Sequence, residues 1–84
     1  MPVLSRFEGY IITMRLRRKE HNPPHIHAIY GEYAAIIDIQ KVIVIEGDLP
    51  PKAQAMVIEW TEINKDKLLN IWNTQEFIEL PPLE

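Results

Sequence analysis

The chain has 84 residues, no cysteine and a formal net charge of −3, and 46% of its residues are hydrophobic. This length predicts a single domain over residues 1–84 with one modest hydrophobic core. The composition excludes disulfide cross-links and zinc sites built from thiolates. No apolar run approaches the roughly 18 residues of a membrane span, and no signal peptide is visible, so we expect a cytoplasmic protein without membrane contact.

The first predicted strand covers residues 7–16, which are β-branched and aromatic in character. One face of that strand carries Tyr10, Ile12, Met14 and Leu16. A loop is predicted over residues 17–24, because consecutive charges and the Pro23–Pro24 pair cannot continue a central ladder.

The positive charge of the chain is concentrated where this strand ends. Residues 1–33 hold five Lys/Arg and three acids, whereas residues 34–84 hold four and nine. The basic cluster consists of Arg15, Arg17, Arg18 and Lys19. It could contact the phosphates of nucleic acid, or it could be a solvated strand end. A basic half and an acidic half also favour self-association or a charged protein partner.

Two further strands are predicted over residues 25–30 and 33–40, joined by the two-residue turn Gly31–Glu32. Glycine at the first central position is typical of a type II′ hairpin. Such a turn fixes the register, because a slip of one residue would reverse every side chain. It places Tyr30 opposite Tyr33, Ala28 opposite Ala35, Ile26 opposite Ile37, His27 opposite Ile36 and His25 opposite Asp38.

A fourth strand is predicted over residues 42–47, after a tight turn at Gln40–Lys41. It pairs Ile37 with Val44 and Ile39 with Val42. The predicted core face of the sheet consists of Ile26, Ala28, Tyr30, Tyr33, Ala35, Ile37, Ile39, Val42 and Val44. The opposite face carries a second apolar set, which the same helix cannot also cover: Ile29, Ala34, Ile36, Ile43 and Ile45.

The C-terminal half predicts helices. Pro50 and Pro51 belong in a first helical turn, where their missing N–H groups are harmless. An apolar stripe at helical spacing follows: Ala53, Met56, Val57, Trp60 and Ile63. Residues 64–66 predict a break or kink, with Asn64 as a cap for a second piece that carries Leu68, Leu69, Ile71 and Trp72. The tail over residues 77–83 is expected to be extended and could add a short edge strand.

Strands followed by helices predict an α+β fold rather than alternating β and α units. We expect an antiparallel three- to four-stranded meander, packed by one or two C-terminal helices.

All three histidines lie within residues 21–27, around the proline pair. In a strand, His25 and His27 point to the same side with Cα atoms about 6.6 Å apart, so they can share a metal ion. His21 joins them only if the loop bends, and Asp38 could supply an oxygen ligand. These residues predict a site for a divalent metal such as zinc, although the spacing matches no standard zinc signature.

Acid–base chemistry is the second interpretation of the cluster. The candidate catalytic residues are His25, His27 and Asp38, since a carboxylate opposite His25 can orient the ring and favour its protonated form. Arginine at positions 15 and 17 could steady charge on a phosphodiester. The third interpretation is structural, with the histidines and Asp38 only completing a stiff turn.

Four stretches resemble a small bacterial family known as domain of unknown function 4160: residues 5–14, 21–39, 46–60 and 65–72. The sequence HNPPHIH followed by Tyr30, Gly31 and Glu32 is the most specific part of this resemblance. Members have a glycine in the turn after the third strand, where this chain has none. The resemblance implies, from gene neighbourhood, a role in toxin–antitoxin pairs beside another small protein.

The expected function is therefore that of a small regulatory or interaction protein, one component of a toxin–antitoxin-like pair. It would act through a protein partner, either a second copy or the product of a neighbouring gene, with nucleic acid as a further target. The alternative is a small nuclease or metal-dependent hydrolase that uses His21, His25 and His27 with Asp38.

Overall fold

The computed structural model describes residues 3–7, 9–14 and 23–81. Its strands are β1 Val3–Phe7, β2 Tyr10–Thr13, β3 His25–Tyr30, β4 Tyr33–Asp38 and β5 Ile43–Asp48, and its helices are α1 Pro51–Ile63 and α2 Lys65–Thr74. The strands form one antiparallel sheet in the order β1-β2-β3-β4-β5. The predicted α+β meander is confirmed, but the sheet has five strands rather than three or four. In the described part of the chain, neither helix is long and apolar enough to cross a membrane.

The additional strand comes from the N-terminus. The prediction of one strand over residues 7–16 is wrong, because the chain turns at Gly9 and β1 pairs antiparallel with β2. The face predicted for this segment is nevertheless correct where the structure describes it, since Tyr10, Ile12 and Met14 are buried. Arg15 and Leu16 lie outside the described residues.

The central hairpin has the predicted register at every pair from Tyr30–Tyr33 to His25–Asp38. Gly31 has a φ of +59°, and Glu32 is not among the residues with positive φ, as a type II′ turn requires. This turn therefore assigns alternate residues of β3 and β4 to the core face and to the opposite face of the sheet.

The connection from β4 to β5 differs from the predicted tight turn at Gln40–Lys41. β4 ends at Asp38 and β5 begins at Ile43, so four residues join the strands, and Val42 N donates to Asp38 O at 2.8 Å. Glycine is absent from this connection, and the positive φ of 55° falls on Val42 instead. The predicted pair Ile37–Val44 is present in the ladder, whereas Ile39 and Val42 both lie in the connection and do not pair there.

The core lies between one face of the sheet and the helices. Its buried hydrophobic members are Leu4, Tyr10, Ile12, Met14, Ile26, Ala28, Ala35, Ile37, Ile39, Leu49, Ala53, Val57, Trp60, Leu68, Ile71, Trp72 and Leu80. The predicted core face is thus largely confirmed. Tyr33 is 45% exposed because it stands at the hairpin tip, and Ile63 is 66% exposed as the last residue of α1.

Asn64 separates the two helices and occupies the N-cap position of α2, as predicted, but its side chain makes no capping hydrogen bond to that helix. Its side-chain Nδ2 and its backbone N both donate to Trp60 O, so it closes the C-terminus of α1. The extended tail runs beside β1, where Leu80 N donates to Leu4 O at 2.6 Å. The indole Nε1 of Trp60 donates to Pro81 O at 2.9 Å and fastens the tail to α1. The tail is joined to β1 by the single backbone hydrogen bond from Leu80 to Leu4, and residues 75–81 form no strand.

Candidate functional site

His25 and His27 lie on the sheet face opposite the core, which we call the second face. The residues of β3 that alternate with them, Ile26 and Ala28, are fully buried in the core. Both histidines are half-buried, and their ring centroids are 5.3 Å apart in an edge-on arrangement. The strand thus brings together the two histidines that the sequence predicted to share a side. His21 lies outside the described residues.

The His25 ring is held in place by two contacts. Its Nδ1 lies 2.9 Å from Pro23 O, and Trp72 of α2 packs against the ring with centroids 5.1 Å apart. A carbonyl oxygen can only accept, so Nδ1 carries the hydrogen and donates it. The nitrogen left with the lone pair in the neutral ring is therefore Nε2. The proline pair also anchors the neighbouring loop, because Ile39 N donates to Pro24 O at 3.0 Å.

Asp38 stands opposite His25, as predicted, but the two side chains are not hydrogen-bonded to each other. Its carboxylate Oδ1 accepts from Gln40 N at 2.8 Å and from Lys41 N at 3.0 Å. Asp38 is only 4% exposed. The predicted imidazole–carboxylate bond is absent because His25 donates to Pro23, while Asp38 caps the loop that follows β4. The nearer backbone N–H groups compete successfully for an aspartate that precedes a turn.

We expect Asp38→Ala to lower the free energy of unfolding by about 2 kcal/mol, because two backbone donors lose an ionised acceptor. Asp38→Asn keeps an oxygen at the same position and should lose less than half as much. Chemical denaturation of both variants measures the difference. Equal losses would mean that the charge of Asp38, and not its acceptor geometry, stabilises the loop.

Two adjoining depressions on the second face are each bordered by one histidine. A cavity of about 190 Å³ is lined by Pro23, His25, Ile36, Ile45 and Glu46. A second, of about 290 Å³, is lined by His27, Ala34, Ala35, Ile36, Glu46 and Gly47. Ile36 and Glu46 border both. Each histidine therefore faces a space that a ligand or a partner side chain could enter.

The apolar set predicted on the second face is present there. Ile43 and Ile45 are 47% and 45% exposed, Ala34 is exposed, and Ile29 and Ile36 are half-buried. Glu46 and Asp48 are exposed on β5, which is the edge strand. The second face is thus an apolar surface with histidines at one end and carboxylates along its β5 edge.

Sequence reasoning missed Glu46 and Trp72 as neighbours of the histidines. An unbroken ladder from Ile37–Val44 would put Ile36 opposite Ile45, but the register shifts at this point and Ile36 pairs with Glu46. A bulge of this kind re-aims side chains and leaves little trace in the alternation of residue types. Trp72 was predicted as a core residue, and it is one, but it also contacts His25.

The structure does not place every predicted site residue. The basic cluster Arg15, Arg17, Arg18 and Lys19 lies outside the described residues. Within residues 3–7, 9–14 and 23–81, no group of three or more His, Asp or Glu is arranged to hold a metal ion. The predicted trio of His21, His25 and His27 is therefore represented only by its last two members.

Comparison with known proteins identifies one family. The family model described as a domain of unknown function (DUF4160) matches residues 9–73, which include β2 to β5, α1 and nearly all of α2. No curated protein and no solved structure matches the chain.

Proposed function

This chain belongs to the DUF4160 family, and from that premise we propose that it is a small cytoplasmic regulatory protein that binds a partner protein through its second face. The partner is the other half of a toxin–antitoxin-like pair, encoded beside this chain. This role is what the resemblance of the HNPPHIH stretch and its flanks implies. The observation that carries the proposal is the exposed apolar surface around Ile43 and Ile45.

An apolar sheet face needs a reason to stay exposed. The helices cover the core face of the sheet, and the described tail runs beside β1 at the opposite edge from β5. Contiguous apolar surface rimmed by polar residues is typical of a protein-binding site. Isoleucines on adjacent strands make such a surface rigid, which lowers the entropy cost of binding.

The charges at the edge of the second face indicate what kind of surface the partner presents. Glu46 and Asp48 on β5 and Glu32 in the central hairpin turn are exposed carboxylates. They complement a partner that presents an apolar patch flanked by lysine or arginine, which would also speed the encounter. Nucleic acid is the second target class in the proposal, and it rests on the sequence of the basic cluster alone.

The alternative function, a nuclease or metal-dependent hydrolase, requires Asp38 to act with the histidines. That carboxylate is buried and caps the loop after β4 through two hydrogen bonds. Freeing it for catalysis would break both hydrogen bonds, at the same cost of about 2 kcal/mol that we expect for Asp38→Ala. This cost favours the binding function over the hydrolase.

The proposal is tested by expressing the chain in cells alone, with the product of its adjacent gene, and with an unrelated small protein as control. We expect one of the pair to arrest growth, the other to restore it, and the two to co-purify as a complex of fixed stoichiometry. Absence of toxicity, neutralisation and complex would remove the proposal. Light scattering on the isolated chain gives the remaining outcome, since a stable dimer would mean that a second copy covers the second face.

A further inference from the structure

We propose that His25 and His27 form a binding site for a transition-metal ion such as Zn²⁺, with these two imidazoles as its protein ligands within the described part of the chain. The site lies on β3, at the histidine end of the second face. This metal site can be tested on the isolated chain, so the proposal does not depend on the partner-binding function.

The distance between the rings of His25 and His27 fits a shared zinc ion. Zinc binds imidazole nitrogen at about 2.0–2.1 Å in tetrahedral geometry, which places the centroids of two bound rings about 5.2 Å apart. The centroids of His25 and His27 are 5.3 Å apart without any rearrangement of the strand. The remaining adjustment is rotation of the rings, whose planes now meet at 62°.

The ring of His25 is also oriented as a metal ligand would be. Its Nδ1–H donates to Pro23 O, which leaves Nε2 as the metal-binding nitrogen. Histidines that bind metals almost always donate their other ring N–H to a carbonyl or carboxylate, because that bond fixes the tautomer and raises ligand basicity. Trp72 packs against the same ring and restricts its motion. His25 thus has the supporting contacts of a metal ligand.

Thr13 pairs with His27 across the β2–β3 ladder. Its hydroxyl oxygen is buried and has no hydrogen-bond partner among the described residues. A buried hydroxyl of this kind is uncommon and calls for an explanation. A water molecule on a metal ion held by the neighbouring His27 would be such a partner. The cavity of about 190 Å³ beside His25 has room for further water ligands.

Zinc chloride titrated into the full chain by calorimetry tests the site. We expect one ion per chain, and about tenfold or greater loss of affinity in each of His25→Asn and His27→Asn, since loss of even a supporting contact to a ligand costs that much. His21→Asn is the matched control and should bind zinc within about twofold of the natural chain. Circular dichroism without zinc checks that each variant folds.

The imidazole nitrogen signals, recorded by long-range NMR, provide a second measurement. Zinc would leave these signals unchanged if the histidines had only a structural role. Zinc should shift Nε2 of His25 while its Nδ1–H signal persists, together with the ring signals of His27. Zinc binding that survives in the double variant overturns the proposal, as does a loss in His21→Asn equal to that in His25→Asn. Titration without heat or imidazole shifts overturns it as well. None of these outcomes bears on the partner complex, which is measured without added metal.

Discussion

Gly47→Ala is expected to lower the free energy of unfolding by on the order of 4 kcal/mol, combining a disfavoured backbone conformation with overpacking. Gly47 has a φ of +77°, and a Cβ there would collide with the carbonyl oxygen of Ala34 on the neighbouring strand. Backbone atoms in a paired strand cannot move away cheaply. A chain of 84 residues has a total stability of roughly 4–13 kcal/mol, so β5 should detach or the protein should unfold.

Gly31→Ala is the matched control for this prediction. Gly31 also has a positive φ, of +59°, but an added Cβ would meet nothing within 4 Å. Only the positive-φ backbone conformation of this turn position is penalised there, at about 1–3 kcal/mol. Urea denaturation of both variants separates the cost of the steric collision from the cost of the backbone conformation. Equal losses of unfolding free energy in the two variants would contradict the close approach of Gly47 to Ala34.

The central hairpin shows which part of this fold is predictable from sequence. A two-residue turn with glycine first leaves a single register, and the alternation of apolar and polar residues then assigns both faces. Every pair from Tyr30–Tyr33 to His25–Asp38 follows from Gly31–Glu32 alone. The same reasoning placed Ile36 on the second face and Ile37 in the core.

The N-terminal hairpin was missed because hydrophobic pattern alone does not show where a strand reverses. Residues 7–16 are rich in apolar, aromatic and β-branched types and predict one continuous strand, which hides the boundary between residues 3–7 and 10–13. The signal was the Glu8–Gly9 dipeptide between them, since an isolated glycine inside a strand pattern often marks a turn or bulge. The loop after β4 gave no comparable signal, because its positive φ belongs to Val42.

At the candidate site, the strand register could be predicted from the sequence, but the hydrogen-bond donors to the Asp38 carboxylate could not. The sequence placed Asp38 opposite His25, and the structure agrees. Which donor a carboxylate accepts from depends on competition among neighbours a few ångströms away. Here Gln40 N and Lys41 N, only two and three residues along the chain, prevail over the imidazole. Periodicity carries no information on such local competition.

The second face gives the sharpest test of the proposed partner complex. Ile45→Lys should weaken binding of the adjacent gene's product by about 30-fold or more, which corresponds to about 2 kcal/mol at a buried interface position. The introduced ammonium would have to be desolvated inside an apolar contact, and it would also face the basic rim expected on the partner. Ile45 is 45% exposed in the isolated chain, so we expect its own stability to change little.

Ile63→Lys is the matched control, because Ile63 is an exposed isoleucine that lies on α1 and not on the second face. It should bind the partner within about threefold of the natural chain, since a surface change outside a contact costs little. Calorimetric titration of the partner into both variants gives the comparison, with thermal melts to confirm folding. Weakening by Ile63→Lys and not by Ile45→Lys would move the interface to the helices and leave the exposed isoleucines of β5 without a partner.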